Sequence, residues 1–84
     1  MEFSVLVEVS LRPGIADPQG ATIERALPAL GFSGVTNVRA GKAFRLSLEA
    51  ATEVEARERA QALADRLLSN PVIEQSQVHV EPVA

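Results

Sequence analysis

The run of residues 11–32, LRPGIADPQGATIERALPALGF, restricts the possible folds of this chain more than any other stretch. Pro13 fixes its own φ and is followed by Gly14, so a strand that ends just before them has to turn there. Asp17 and Pro18 suit the N-cap and the first position of a helix, because aspartate can accept from free backbone N–H groups and proline has none to satisfy. The run therefore predicts a strand, a tight turn and a helix that begins at Pro18.

The same run predicts where this helix ends. Gly31 supplies a left-handed stop. Gly20 and Pro28 oppose a regular helix, since glycine weakens a helix interior and proline removes an i to i−4 hydrogen bond, and we expect a bent or frayed last turn. Apolar residues at helical spacing give the helix one apolar stripe: Ile23, Ala26, Leu27 and Leu30.

Length and composition predict a single small domain over residues 1–84, for which burial against a second copy or another subunit would add stability. The chain has no Cys, so a disulfide framework and a thiolate metal site are excluded. A net charge of −3 and only three Phe argue against nucleic acid as a partner. Without a basic leader or a long apolar run, we expect a soluble cytoplasmic protein that does not enter a membrane.

Alternating and helical patterns predict the remaining elements. Residues 3–11 alternate as a half-buried strand, and residues 35–40 and 43–50 flank Gly41-Lys42 as the two strands of a β-hairpin. Thr52 and Glu55 have capping-box spacing, and a second helix follows. Its predicted inward residues are Ala56, Ala60, Leu63, Ala64 and Leu67. Asn70-Pro71 ends that helix, and residues 72–80 form the last strand, with Val78 and Val80 inward.

The predicted element order is β-α-β-β-α-β. This order is typical of an α+β, ferredoxin-like (split βαβ) fold, an antiparallel four-stranded sheet with two helices on one face. The other face of the sheet and both of its edge strands would remain open. We therefore expect the chain to dimerise.

Catalytic, cofactor and metal residues are not predicted anywhere in the chain. His79 is the sole histidine and is best interpreted as a solvated strand residue. Glu53, Glu55 and Glu58 share their helix with arginines, which is typical of a solvated ion-pair face. The helix that begins at Pro18 could offer N–H groups to an anion, but the charge of its cap would repel a phosphate.

Several short motifs are spread over nearly the whole chain. They are Leu11-Arg12-Pro13-Gly14, Asp17-Pro18-Gln19-Gly20, Ala26-Leu27, Leu30-Gly31-Phe32, Val38-Arg39, Gly41-Lys42 and Asn70-Pro71-Val72-Ile73-Glu74. Together these motifs resemble the PurS family, the small accessory subunits of phosphoribosylformylglycinamidine synthase. The resemblance runs nearly end to end, and the D-P-Q-G turn with the later N-P-V-I-E run is its most specific part. This chain departs from the family at Pro28, where a helix former is expected.

The resemblance implies a non-catalytic role in de novo purine synthesis. In the family, a glutaminase subunit (PurQ) releases ammonia, and a large synthetase subunit (PurL) uses ATP and Mg²⁺ to make formylglycinamidine ribonucleotide. The small subunit binds none of these cofactors. It is expected to form a homodimer, with a tetramer also open, to bridge the two partners and to assist ammonia transfer. Such a dimer would also stand in for the N-terminal domain of the larger single-chain form of the enzyme.

The matched motifs supply the candidate partner contacts, which are Arg12, Asp17, Gln19, Gly20, Arg39, Lys42, Asn70 and Glu74. Some have local explanations instead: Asp17 as a cap, Gly20 as close backbone packing, Lys42 as turn solubility and Asn70 as a helix terminator. For Asp17 and Asn70 the local explanation is favoured. A free-standing regulatory module that binds a small ligand remains the alternative function.

Overall fold

A computed structural model describes residues 1–83 of the chain. The elements are β1 (Glu2–Leu11), α1 (Pro18–Ala26), a 3₁₀ turn (Pro28–Leu30), β2 (Gly41–Glu49), α2 (Glu53–Leu63), a π-helical turn (Ala64–Leu68) and β3 (Glu74–Pro82).

The three strands form one antiparallel sheet in the order β2-β1-β3. The first strand is central, and Val7 lies opposite Phe44 of β2 and Val78 of β3. Because alternate residues of a strand point to opposite faces, the odd-numbered residues of β1 and the even-numbered residues of its neighbours share one face. That face carries the apolar side chains.

The core lies between this face and α2. Phe3, Val5, Val7 and Val9 are at most 2% exposed. Facing them, α2 and the first residue of the π-helical turn present only alanines, all fully buried, at positions 56, 60 and 64. Such small side chains let the helix backbone approach the sheet closely.

The predicted start of α2 is confirmed. The hydroxyl of Thr52 accepts from the backbone N–H of Glu55 at 3.1 Å. The carboxylate of Glu55 turns back and accepts from the backbone N–H of Ala51 at 3.2 Å. Two N–H groups that the helix itself cannot satisfy are thereby paired.

The prediction of a four-stranded sheet is wrong, because residues 35–40 form no strand and the β-hairpin does not exist. Gly34 and Asn37 have φ values of 80° and 59°, which interrupt the extended backbone. Two backbone N–H groups that a ladder would use donate instead to carboxylates, Val38 to Glu24 at 2.9 Å and Ala40 to Asp17 at 2.8 Å.

The predicted placement of both helices on one face is also wrong. Within residues 1–83, α2 and the π-helical turn pack on the sheet, and the sole buried residue of α1 is Gly20. The radius of gyration is 16.3 Å, whereas a compact domain of this length has about 12 Å. Residues 12–40, which we call the arm, project from the body formed by the sheet, α2 and the π-helical turn.

The local predictions for the first helix are confirmed. It begins at Pro18 behind the cap Asp17 and ends at Ala26, short of Pro28. The 3₁₀ turn that follows is the expected irregular last turn. It is closed by Gly31 in the left-handed conformation, at φ 90°.

The π-helical turn at the end of α2 was not predicted. The backbone N–H and the hydroxyl of Ser69 both donate to the carbonyl of Ala64, at 2.9 and 2.8 Å. This wider turn rotates the following residues. As a result the predicted inward residue Leu67 is 75% exposed, and Leu68 packs against the core in its place.

Candidate functional site

All eight candidate residues from the sequence lie at one end of the sheet. Because β1 is antiparallel to both neighbours, its last residues meet the first residues of β2 and β3: Ser10 lies opposite Gly41, and Leu11 opposite Glu74. The arm leaves and rejoins the body here. We call this region, made of residues 10–12, 17–20, 39–42 and 70–75, the joint.

Asp17 is the polar centre of the joint. Its carboxylate accepts from the backbone N–H groups of Gly20, at 3.0 Å, and Ala40, at 2.8 Å. Arg39 Nε lies 3.9 Å away, and the Asp17 side chain is 6% exposed. The bond from Gly20, then that from Ala40 and the charge of Arg39 lower the pKa of Asp17, against an opposing effect of desolvation. The local interpretation of Asp17 as a helix cap is confirmed.

Gly20 is required by close backbone packing, as its local explanation predicted. A Cβ at this position would lie 2.5 Å from the carbonyl oxygen of Val38 and 2.6 Å from Asp17 Oδ2. Any larger residue therefore separates α1 from the returning segment of the arm.

Arg12 and Asn70 connect the end of β1 to the turn before β3. The guanidinium Nε of Arg12 donates to the carbonyl of Pro71 at 2.9 Å, and its backbone N–H donates to Ile73. Asn70 accepts from the backbone N–H of Val72 at 3.1 Å through its side-chain oxygen. The helix has already ended at Leu68, with Ser69 as its C-cap, so Asn70 forms an Asx-type turn on the way to β3 and does not itself terminate the helix.

Glu74 and Lys42 join the two edge strands across β1. One carboxylate oxygen of Glu74 accepts from the backbone N–H of Asn70 at 2.7 Å, and the other lies 3.6 Å from the ammonium of Lys42. That ammonium also lies 6.0 Å from the ring centroid of Phe44. Lys42 is therefore a strand residue with partners, and its explanation as a soluble turn residue is wrong.

A shallow hollow of about 240 Å³ opens at the joint. Among its lining residues are Asp17, Gln19, Lys42 and Glu74. This hollow is smaller than the roughly 300–1,000 Å³ of typical ligand pockets. A second, open hollow of about 640 Å³ shares Ser10, Gly41 and Lys42 with it and extends to Glu8 and Arg39.

The structure brings the eight candidates together, but their role as partner contacts stays a prediction. Arg39 completes the set, since its Nη2 donates to the carbonyl of Leu11 at 3.4 Å. Sequence reasoning missed Glu24, which holds Val38. Its spacing of seven residues, two helical turns, from Asp17 is the pattern that places both carboxylates on one side of α1.

The sole histidine lies away from the joint on the open face of the sheet. His79 Nε2 is 2.7 Å from the carboxylate of Glu8, and both side chains are about half exposed. Within residues 1–83, no cluster of three acidic or histidine side chains could hold a metal ion. The described part of the chain also contains no helix that is both long and apolar enough to span a membrane.

Known proteins match this chain over nearly its whole length. The family model described as "PurS: Phosphoribosylformylglycinamidine (FGAM) synthase" matches residues 4–82. The PurS subunit of Synechocystis is 43% identical over 68 residues, which are 81% of this chain and 68% of that protein. Thermus thermophilus PurS superposes with a TM-score of 0.88 at 33% identity, and each chain is covered completely.

A chain in the structure of PurLQS from Thermotoga maritima also has a TM-score of 0.88 at 33% identity. The match covers 96% of this chain and 99% of that one. Family model, sequence relatives and solved structures thus agree. The chain belongs to the PurS family, the small subunits of phosphoribosylformylglycinamidine synthase in purine biosynthesis.

Proposed function

We propose that the chain acts as a homodimeric accessory subunit that bridges a PurL-type synthetase and a PurQ-type glutaminase. In this role it helps ammonia pass from the glutaminase to the synthetase without loss to water. The ATP, Mg²⁺ and glutamine of the reaction belong to the partner subunits. The observation that carries the proposal is the nearly complete match to a chain of the PurLQS structure.

The joint supports a bridging role because it places polar and positively charged side chains on one exposed end of the molecule. Arg12, Gln19 and Asn70 are exposed there, and the Lys42 side chain is 53% exposed. The backbone around them is fixed by the bonds of Asp17, Arg12 and Asn70. A preorganised polar surface of this kind loses little conformational entropy when it binds.

Reconstitution with the PurL-type and PurQ-type subunits tests this proposal. We expect glutamine-dependent formation of formylglycinamidine ribonucleotide to require the chain, whereas added ammonium salt should support the synthetase without it. Complex formation, followed by size-exclusion chromatography, should require the chain as well. If neither glutamine-dependent turnover nor assembly changed when the chain was omitted, the accessory function would be wrong.

A pair of variants tests the place of contact. Lys42→Ala removes a positive charge at the joint, and Arg57→Ala removes one on α2, where its only ion pair within residues 1–83 is a 3.9 Å contact with Glu53. Only Lys42→Ala should weaken assembly, by up to about tenfold for an exposed charge at an interface rim. Equal effects of both variants would place the partner contact elsewhere.

A further inference from the structure

The larger hollow at the joint, with a volume of about 640 Å³, opens on the face of the sheet that α2 does not cover. Strand register places six of its lining residues in two rows. All six alternate with residues of the apolar face, so their side chains stand on the opposite face. The rows are Ala43, Glu8 and Gln77, followed by Gly41, Ser10 and Gln75. The volume lies within the range of typical small-ligand sites.

The two sides of this hollow differ in height. On the β2 side its open-face residues are only Gly41 and Ala43, and a Cβ at position 41 would lie 2.8 Å from the carbonyl oxygen of Val9. On the β3 side the long, exposed side chains of Gln75 and Gln77 border it. The small residues therefore leave room for a ligand beside a wall of carboxamides.

Polar groups around the hollow have unused hydrogen-bonding capacity. Within residues 1–83, the side chains of Ser10, Gln75 and Gln77 form no hydrogen bond to the protein, whereas the carboxamide nitrogen of Gln61 donates to two side-chain oxygens. A carboxamide can donate and accept at the same time. The hollow thus offers both kinds of partner that a peptide group requires.

Groups of opposite charge lie at the two ends of the hollow. One oxygen of Glu8 lies 2.7 Å from His79 Nε2, and the other has no hydrogen bond within residues 1–83. At the other end, Arg39 Nη2 donates to the carbonyl of Leu11 at 3.4 Å, and the guanidinium has further N–H groups to offer. From Glu8 to Leu11 the distance along β1 is about 10 Å, at about 3.3 Å per residue.

This spacing fits a short extended peptide. An extended chain covers about 3.3–3.6 Å per residue, so about three residues hold a terminal ammonium group and a terminal carboxylate about 10 Å apart. A single amino acid carries both charges on one carbon and cannot reach both ends. An internal segment of a protein has no terminal charges to place there.

We propose that the hollow binds a free peptide of about three residues, with its α-ammonium group at Glu8 and its α-carboxylate at Arg39. Guanidinium and carboxylate groups pair with two parallel hydrogen bonds. The peptide groups between the two ends would pair with Ser10, Gln75 and Gln77. The proposal goes beyond the accessory function and does not depend on it, because binding is measured on the chain alone. A negative result would leave the accessory function untouched.

NMR titration of the isotope-labelled chain with trialanine tests the site. We expect saturable shifts of the amides of residues 8–10 and 75–77, with a dissociation constant of about 1 mM, as for a small ligand on an open surface. Dialanine is too short to reach both ends and should bind at least about fivefold more weakly. Shifts that do not saturate, or equal affinity of the two peptides, would overturn the proposal.

A blocked peptide tests the ammonium end. N-acetyl-trialanine lacks the ammonium group and should bind the wild-type chain about fivefold more weakly than trialanine. In Glu8→Gln this difference should vanish, because the carboxylate is gone while a hydrogen bond to His79 can remain. Glu81→Gln is the matched control, since Glu81 lies on the same face opposite Ser4, outside the hollow, and should keep the difference. An undiminished difference in Glu8→Gln would show that the ammonium group does not bind there.

Trialanine amide tests the carboxylate end. Arg39→Gln should abolish the preference for the free carboxylate, whereas Arg45→Gln, on the same face opposite Leu6, should keep it. The Ala40 amide, which donates to Asp17 at 2.8 Å, reports whether the joint is intact in Arg39→Gln. If both blocked peptides bound the wild-type chain as tightly as trialanine, the hollow would accept an internal chain segment and the proposal would be wrong.

Discussion

In the body, the apolar residues of β1 are at most 2% exposed, whereas Leu30 and Phe32 of the arm are 69% and 58% exposed. The body is stabilised by close packing of the sheet against the alanine face of α2. The shape of the arm depends on hydrogen bonds that its backbone N–H groups donate to the carboxylates of Asp17 and Glu24. Such bonds define geometry, and each adds about 1.5–3 kcal/mol because its acceptor is charged. This difference in burial shows that hydrogen bonds within the arm fix its conformation without burying its apolar side chains.

Truncation of the core should have the largest effect. Phe3→Ala removes a side chain that is 1% exposed, and we expect a loss of about 3–5 kcal/mol in the free energy of unfolding. Urea denaturation of dilute protein measures it. The control Phe32→Ala should change that free energy by less than about 0.5 kcal/mol, because the ring is already solvated. Equal losses would mean that arm and body share one core.

Gly20→Ala should have an intermediate effect, confined to the arm. The added methyl group would lie 2.5 Å from the Val38 carbonyl, and overpacking of this kind costs about 1–3 kcal/mol. Hydrogen exchange should show faster opening of the Val38 and Ala40 amides, with β1 amides unchanged. Gln19→Ala, on the exposed side of α1, is the control. Equal acceleration in β1 would show that the two regions unfold as one unit.

Acid should have the smallest effect, a loosening of the joint alone. The pKa of Asp17 is lowered from 3.8 by the Gly20 and Ala40 bonds and by Arg39. The stabilisation by Asp17 is therefore fully present above its unfolded pKa and is lost as the pH falls through its lower folded pKa. NMR titration of the Ala40 amide from about pH 6 to about pH 2 should show this change. In Asp17→Asn the change should disappear, and its persistence would assign it to another carboxylate.

Local features of this chain could be predicted from sequence, and their assembly could not. The start of α1 at Pro18 and the cap at Thr52 depend on neighbouring residues and were correct. Residues 35–40 resemble a strand, because their sequence does not reveal that two of their amides are captured by carboxylates 14 and 23 residues earlier. The same bonds hold α1 against the returning segment of the arm and away from the sheet.

The local role of Asp17 could be predicted because a helix cap depends on neighbouring residues, whereas the partner contacts of the candidate site stay a prediction. Arg12, Asp17 and Asn70 satisfy backbone groups near the ends of strands and helices, which is where sequence patterns are most specific. The apolar surface of the arm was missed for the opposite reason. A helical stripe such as that of Ile23 and Leu30 predicts burial but does not say in which molecule the burial occurs.

The π-helical turn after α2 acts as a one-residue change of phase. A regular helix through residues 64–68 would turn Leu67 toward the sheet and Leu68 toward water, the reverse of what is observed. Deleting one residue from this turn would therefore restore a regular helix and leave Leu68 facing the sheet, in the position that Leu67 would otherwise occupy. The π-helical turn therefore leaves Leu67 exposed close to the joint, while Leu68 joins the buried alanines on the side that faces the sheet.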